Sequence, residues 1–282
     1  MARKDKILIS KTNFMETLIK EKELPIKELE KLGLFNNGAL NLGQNDIDAL
    51  LAGRRTDMQS LKNLQLDGFG ILQLDAKLSL GRNAEGKVAL NLHPIYKQEI
   101  PHPLLSEEEA RNLREKKIHS VQKEYEQPNK ILGKLIIEYD EETREFVAYR
   151  PDQVEAPEKV NGETLSEKQK KDFKNGELVQ LEDGTRFQHS AADSKGVRSD
   201  RARLIFSVLV DGGLSYLVFR GLKNLKDNLE AQKQDYTKGY NQALADMMVG
   251  KPKREIDMTV GKQIDNPTSL HEGKRYGSTM SR

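Results

Sequence analysis

The chain has 282 residues, of which 36% are hydrophobic and 32% charged, with a mean hydropathy of -0.71, so we expect small cores and up to two small domains. Its 46 Lys and Arg nearly balance 44 Asp and Glu, leaving a net charge of +2, which is too small for a protein that coats nucleic acid. The lack of Cys excludes disulfides, thiolate metal sites and a cysteine nucleophile. Without a secretory signal or an apolar run of about 20 residues, the sequence predicts a soluble, cytoplasmic protein that does not contact a membrane.

Three short helical patterns fill residues 1–60. The second begins at Pro25 and ends at Gly33, and the third is capped by Asn45 and ends at Gly53. Short helices joined by tight turns are typical of helix-turn-helix domains, but also of purely structural modules. No cluster of exposed Arg, Asn or Gln marks a recognition helix, so the sequence does not favour DNA reading by this module.

The pattern of residues 71–94 predicts a β-hairpin with one apolar face and one polar, solvent-facing side. Apolar side chains alternate with polar ones from Leu72 to Leu80, and the alternation resumes from Val88 to Leu92. The opposite face carries Lys77, His93 and other polar side chains, which we expect to lie in solvent.

An internal repeat with a period of about 60 residues is indicated by three helix starts. Each start has a leucine before a polar or acidic cap and an apolar residue eight positions later, and the residue eleven positions later is glycine in two of the three sets. These sets are Leu42, Leu50 and Gly53; Leu105, Leu113 and Lys116; and Leu165, Phe173 and Gly176. A predicted strand pair follows each helix, and helix and ribbon can each bury one face on the other.

Capping boxes place two of these helices. Ser106 with Glu109 begins a helix that we expect to run to Tyr125, and Ser166 with Gln169 begins one that ends at Gly176.

The C-terminal third contains two further hairpins and a helical pattern. Asp183-Gly184 and the Asp-Gly-Gly run at 211–213 are strong hairpin turns, and the second hairpin is the most apolar part of the chain. Residues 222–249 return to a helical period, and residues 250–282 show none and are predicted to be disordered.

These patterns predict an α+β protein: a small N-terminal helical module, then repeated helix plus antiparallel β-hairpin units, a C-terminal helix and a disordered tail. The expected boundaries are 1–60 for the helical module, 61–104 for the first hairpin and a Pro-rich connector, 105–160 for a helix–hairpin unit, 161–221 for a helix with two hairpins, 222–249 for the last helix, and 250–282 for the tail.

Several segments resemble known but uncharacterised families. Residues 23–34, 46–58 and 72–97 resemble domains of unknown function carried on conjugative transposons and related mobile elements of gut anaerobes. Residues 165–184 are similar to a second such domain, which is also found appended to mobile-element topoisomerases. The resemblance implies a setting in the transfer or processing of mobile DNA, with no assigned activity, so it implies no functional residue.

No catalytic or metal-binding constellation stands out. His93 and His102 flank the Pro-rich connector and could approach each other, but ordinary surface or turn histidines explain them better. We interpret the acidic runs 107–109 and 140–142 as a solvated helix start and a solvated hairpin tip. The sequence therefore predicts no enzymatic activity, no cofactor and no metal.

Basic residues are the remaining candidates for a function. Arg54 and Arg55 are expected to be a solvated helix end. The candidate nucleic-acid contacts are Lys195, Arg198, Arg201 and Arg203, in a flexible approach to the last hairpin, and Lys251, Lys253 and Arg254, at the start of the tail. Such residues hold phosphates by counter-ion release, although charge that serves only solubility has the same composition.

We hypothesise from these observations a non-enzymatic accessory protein of a mobile element that acts through protein or DNA contacts. A protein partner from the mobile-element machinery is expected, because exposed hairpin edges accept further strands. The alternative is a salt-dependent DNA-binding factor that uses the basic segment 195–203 and the C-terminal tail. An enzyme would require a buried polar pocket.

Overall fold

The computed structural model describes residues 19–66, 69–83, 85–126, 132–210, 213–225, 232–233 and 236–249. The predicted disordered tail, 250–282, and the first predicted helix, except for its end, lie outside these residues. The chain divides into a compact unit up to Ala243 and a second unit from Leu244.

The predicted α+β class is confirmed. The helices are α1 (Ile26–Lys31), α2 (Gln44–Leu51), α3 (Glu107–Arg114), α4 (Glu167–Lys174) and α5 (Lys238–Val249). The strands are β1 (Phe35–Asn36), β2 (Ala39–Leu40), β3 (Gln59–Leu66), β4 (Phe69–Arg82), β5 (Val88–Pro94), β6 (Val121–Glu126), β7 (Leu132–Asp140), β8 (Glu145–Tyr149), β9 (Lys159–Val160), β10 (Glu163–Thr164), β11 (Val179–Gln180), β12 (Arg186–His189), β13 (Val197–Ser199), β14 (Arg203–Val210) and β15 (Gly213–Arg220).

Three of the sheets are antiparallel meanders that each follow an eight-residue helix. Helix α2 precedes β3-β4-β5, α3 precedes β6-β7-β8, and α4 precedes β11-β12-β13. We call these units the first copy (residues 44–94), the second copy (107–149) and the third copy (167–199). Each repeated unit therefore has three strands where the sequence predicted a pair, and the additional strands are β3, β6 and β13.

The three helices end in the same way. The residue two positions after each helix has a positive φ: 69° at Gly53, 56° at Lys116 and 70° at Gly176. Each N–H donates to the carbonyl three residues back, which satisfies a carbonyl that the helix end leaves open. Lys116 adopts this conformation without the freedom of glycine, so the repeat preserves the turn even where its residue changes.

Helix α3 is shorter than predicted. It ends at Arg114, not Tyr125, because the left-handed turn at Lys116 stops it, and residues 121–126 form β6 instead. The two predicted capping boxes at its start and at the start of α4 are confirmed. In α2, however, the N-cap is Gly43 and not the predicted Asn45.

A small hairpin interrupts the predicted N-terminal helical module. Strands β1 and β2 pair through a turn at Asn37-Gly38, where φ is 51° and 79°. The same turn recurs at Asn161-Gly162, which joins β9 to β10 with φ of 50° and 82°. Successive residues with positive φ are what a two-residue hairpin requires, and Asn-Gly is the pair best suited to it.

The prediction for the long hairpin was right in its pairing and wrong in part of its faces. Strands β4 and β5 pair in register, but Leu72 is 85% exposed. Asn63 lies opposite it with a φ of 54°, and the buried residues on either side, Leu61 and Leu64, are three positions apart. This local distortion changes which side chains point into the core. The alternation of inward-facing apolar side chains in β4 therefore holds from Leu74 onward but not in the residues before it.

Two hydrophobic cores fill the first unit. In one, α1 and α2 pack on the first meander through residues such as Leu29, Leu50 and Leu78. In the other, α4, β12 and β14 meet through the rings of Phe173, Phe187 and Phe206, whose centroids lie 5.8–6.0 Å apart.

The apolar hairpin β14-β15 belongs to a four-stranded sheet in the order β10-β9-β14-β15. The predicted helix over 222–249 is found only from Lys238 in the described residues, and 222–225 is not helical. None of the helices that the structure describes is long and apolar enough to cross a membrane.

Candidate functional site: a polar junction of the three copies

Lys77 extends from the wet face of β4 and is 1% exposed, contrary to the prediction that this face lies in solvent. Its Nζ lies 2.9 Å from both carboxylate oxygens of Asp140 in the second copy and 2.7 Å from Glu142. It also donates to the carbonyl of Ala192 in the third copy, at 3.2 Å. An ammonium group is costly to bury unless it is paired, and Lys77 has partners in two other copies.

Arg55 reaches the same carboxylate from the end of α2. Its Nη1 donates to Asp140 Oδ2 at 3.4 Å, to Thr143 Oγ1 at 2.9 Å and to Glu145 Oε2 at 2.8 Å. Arg55 is 7% exposed and Asp140 is 3% exposed. The predictions of a solvated helix end and a solvated hairpin tip are therefore wrong at these two residues.

The surrounding charges lower the pKa of two carboxyl groups in this network. Burial opposes the change at Glu142, but hydrogen bonds and charges from Lys77 and Lys223 lower its pKa to about 2. Burial likewise opposes the change at Glu145, where His93 and Arg55 lower the pKa. Both groups are thus held as carboxylates at neutral pH, as partners of buried cations must be.

Ser79, His93 and Glu145 form a chain that also joins the first copy to the second. Ser79 Oγ lies 2.8 Å from His93 Nε2, and His93 Nδ1 lies 3.3 Å from Glu145 Oε2. Hydrolase triads share this order of residue types. Ser79, however, sits within β4 and pairs with Asn91 in the ladder, rather than on an exposed turn beside free N–H donors. We interpret the chain as a polar link between copies.

Glu138 connects the second copy to the third. It is 6% exposed and accepts hydrogen bonds from Ser190 Oγ at 3.0 Å and from the N–H of Ala192 at 3.2 Å. Burial raises its pKa, and the charge of Arg198 opposes the rise. The three copies are therefore joined by buried polar contacts.

A pocket of about 300 Å³ opens at this junction. The first copy and the segment after α2 contribute Ala52, Gly53, Arg54, Arg55, Ser79 and His93; the second copy and the segment after it contribute Phe146, Val147, Ala148, Tyr149, Arg150, Gln153, Val154 and Glu155; the third copy contributes His189 and Ala191. The lining thus mixes guanidinium and imidazole groups with apolar side chains.

Two basic side chains that line the pocket have altered pKa values. Burial lowers the pKa of Arg54 to about 10, and Arg54 donates to the carbonyl of Ser194 at 3.2 and 3.3 Å. Burial and the charge of Arg54 lower the pKa of His189 to about 3, so the imidazole is neutral at physiological pH. Its Nδ1 is buried without a hydrogen-bond partner, and its ring contacts Tyr149 edge-on at 4.8 Å.

The two histidines proposed as a possible metal pair have different partners. His93 joins Ser79 and Glu145, whereas the ring of His102 packs against Phe146. Among the residues the structure describes, no three His, Asp or Glu side chains are placed to hold a metal ion.

The predicted basic segment 195–203 is not a flexible approach, because it contains β13 and the start of β14. Lys195 donates to the carbonyl of Gly221 at 2.7 Å, and Arg198 Nε lies 4.0 Å from Asp193. Arg203 lies 5.2 Å from the ring centroid of Tyr236 and donates to its hydroxyl. The other candidate contacts, Lys251, Lys253 and Arg254, lie outside the described residues.

Arg201 and Arg203 meet a third cation at a small cleft of about 10 Å³. Lys233 lines it with them, together with the rings of Tyr236 and Tyr240. The Nε of Arg201 is buried without a hydrogen-bond partner. This is the one place where the candidate nucleic-acid contacts of the described chain converge with aromatic rings.

Residues 19–103 match the family model described as "Protein of unknown function (DUF4099)". The matched region covers α1, the first copy and the connector behind it, so the predicted likeness to an uncharacterised domain is confirmed there. No curated protein and no solved structure matches the chain.

Proposed function

We propose that the chain is a non-enzymatic accessory protein of a mobile genetic element and that it docks a protein partner by strand addition at β15. The observation that carries the proposal is the outer edge of this strand. Residues 213–220 pair with β14 on one side only, and in the described residues no other backbone hydrogen bond involves them.

In the described part of the chain, this edge lacks the usual protections against pairing. Strand β15 is eight residues long, contains no proline, and pairs with β14 in unbroken register. Its charged residue stands at the end, at Arg220, and Leu209 on the neighbouring strand is 60% exposed. Long apolar edges of this kind act as templates for another strand. Buried ion pairs between the copies support the proposal, because a rigid frame loses little entropy when a partner docks.

The hydrogen bonds within the sheet show which N–H groups of β15 would bond to a partner strand. The N–H of Asn161, the residue after β9, donates to the carbonyl of Ile205, and the N–H of Ile205 donates to the side-chain Oδ1 of Asn161. Both backbone groups of Ile205 therefore point away from β15. The residue paired with Ile205 is Val218, and its N–H consequently points to the free edge. Replacing Val218 with Pro removes that donor without breaking the β14 ladder.

The test is capture of partners from a nuclease-treated lysate of the cells that carry the gene, with Val218→Pro and Val218→Thr as matched baits. A partner that binds wild type and Val218→Thr in moderate salt, but not Val218→Pro, is the expected result. Equal capture by all three baits would refute docking at this edge.

A second candidate function is salt-dependent DNA binding, and the convergence of Arg201, Arg203 and Lys233 beside two tyrosines favours it. Fluorescence anisotropy with single- and double-stranded oligonucleotides measures it across a salt series. The double variant Arg201→Gln/Arg203→Gln should weaken binding and reduce the salt slope by about 2. Arg82→Gln, at an exposed arginine paired with Glu23, is the control and should change neither.

A further inference from the structure

One edge of a buried guanidinium in the junction pocket is unused by the protein. The three hydrogen bonds of Arg55 all leave from Nη1, and within the described residues its Nε and Nη2 have no protein partner. Arg55 is 7% exposed and lines the pocket. The free edge therefore reaches solvent through the pocket.

The Nε–Nη2 edge of an arginine matches an oxyanion, because its two N–H groups are parallel and can hold two oxygens at once. Asp140 and Glu145 fix the other side of the guanidinium at Nη1, so its orientation is set before any ligand arrives. Arg54 and Arg150 line the same pocket and add positive charge to its lining.

The pocket lining also includes the apolar side chains of Phe146, Val147 and Val154, with Ala52 and Ala148. A volume of about 300 Å³ stands at the lower limit of sites for small organic molecules, which range from about 300 to 1,000 Å³. A ligand that fills such a space has an apolar part of roughly one ring and a single polar group.

We propose that the junction pocket binds a small organic oxyanion, a carboxylate or a phosphate ester on an apolar body, with its oxygens on Nε and Nη2 of Arg55. The pocket does not include β15, so this proposal stands or fails separately from strand addition.

Ligand-detected NMR titration of the full chain tests the proposal with phenyl phosphate, benzoate and the uncharged benzamide. We expect saturable binding of at least one anion and at least tenfold weaker binding of benzamide. Preference for phenyl phosphate would identify a phosphate ester as the natural chemistry, and preference for benzoate a carboxylate. Equal binding of benzamide, or no saturable binding of either anion up to about 10 mM, would overturn the proposal.

Two variants locate the site. Arg55→Lys keeps a cation for Asp140 and Glu145 but has no second donor edge, so the fold should persist by circular dichroism while binding weakens about tenfold or more. Ala148→Phe places a ring at the mouth of the pocket from an exposed position and should abolish binding. Ala39→Phe, at an exposed alanine of β2 outside the pocket, should bind like wild type. Unchanged binding by Ala148→Phe would show that the anion lies elsewhere.

Discussion

Replacing Lys77 with Met should destabilise the protein far more than replacing a surface lysine. The methionine keeps most of the apolar stem but removes the ammonium, which makes two bonds of 2.9 Å to Asp140 and one of 3.2 Å to Ala192. Asp140 retains Arg55 at 3.4 Å, yet it stays 3% exposed and loses its nearer cation. Breaking a buried pair by removing one partner costs about 3–5 kcal/mol, and the unpaired carbonyl of Ala192 places the loss toward the upper part of that range.

Lys168→Met is the matched control. Lys168 forms a 2.8 Å pair with Asp172 one turn along α4, and its side chain is 85% exposed. Pairs of this kind contribute about 0.3–0.5 kcal/mol, so the same chemical change should be nearly neutral there.

Urea denaturation followed by circular dichroism measures the free energy of unfolding for wild type and both variants, with the slope m as a check that the unfolded states are comparable. We expect a loss of several kcal/mol for Lys77→Met and of less than about 1 kcal/mol for Lys168→Met. A loss below about 1 kcal/mol for Lys77→Met, at unchanged m, would contradict the view that this ion pair holds the copies together.

Two further predictions concern pH and backbone shape. Because the pKa of buried His189 is lowered to about 3 while an unfolded histidine titrates near pH 6.5, the unfolded state binds one more proton between these values, so stability falls as pH falls. Between pH 6.5 and pH 5, the free energy of unfolding of wild type and of the control His119→Gln should each fall by about 2 kcal/mol more than that of His189→Phe, as measured in urea titrations. An equal dependence of this free energy on pH in all three proteins would contradict the buried neutral imidazole. Gly176→Ala should destabilise the protein by about 1–3 kcal/mol more than Gly184→Ala. Both glycines have a positive φ, but of the two only Gly176 would place the new Cβ 2.6 Å from the Tyr149 hydroxyl. Equal losses of unfolding free energy in the two variants would contradict this steric argument.

The helix starts were predictable because their signals are local. Ser106 with Glu109 and Ser166 with Gln169 satisfy N–H groups three residues away, so the sequence alone contains both partners. The end of α3 was not predictable in the same way. Lys116 adopts a φ of 56° that is far more typical of glycine or asparagine, and the polar alternation of β6 behind it resembles a continuing exposed helix.

The strand pairs were predicted as two-stranded because their third strands are weak patterns on their own. Strand β6 reads as polar residues between Val121 and Tyr125, and β13 has three residues. Such segments become strands through a neighbour already in place. The exposure of Leu72 has a similar origin, since the face switch depends on the conformation of Asn63 in the adjacent strand.

The candidate site could not be predicted because its members are normal surface residues in their own segments. Lys77 alternates with leucines on β4, and Asp140 lies 63 residues later at the start of a turn. In its own segment, each therefore has the sequence pattern of a side chain exposed to solvent. Alternation indicates which side chains share a face of a sheet, but not what covers that face. Here the polar face of one copy packs on the other two, and the charges on it must pair because water is excluded. A register error of one residue would leave such charges buried and unpaired, so this junction penalises wrong placements of the copies more severely than an apolar contact would.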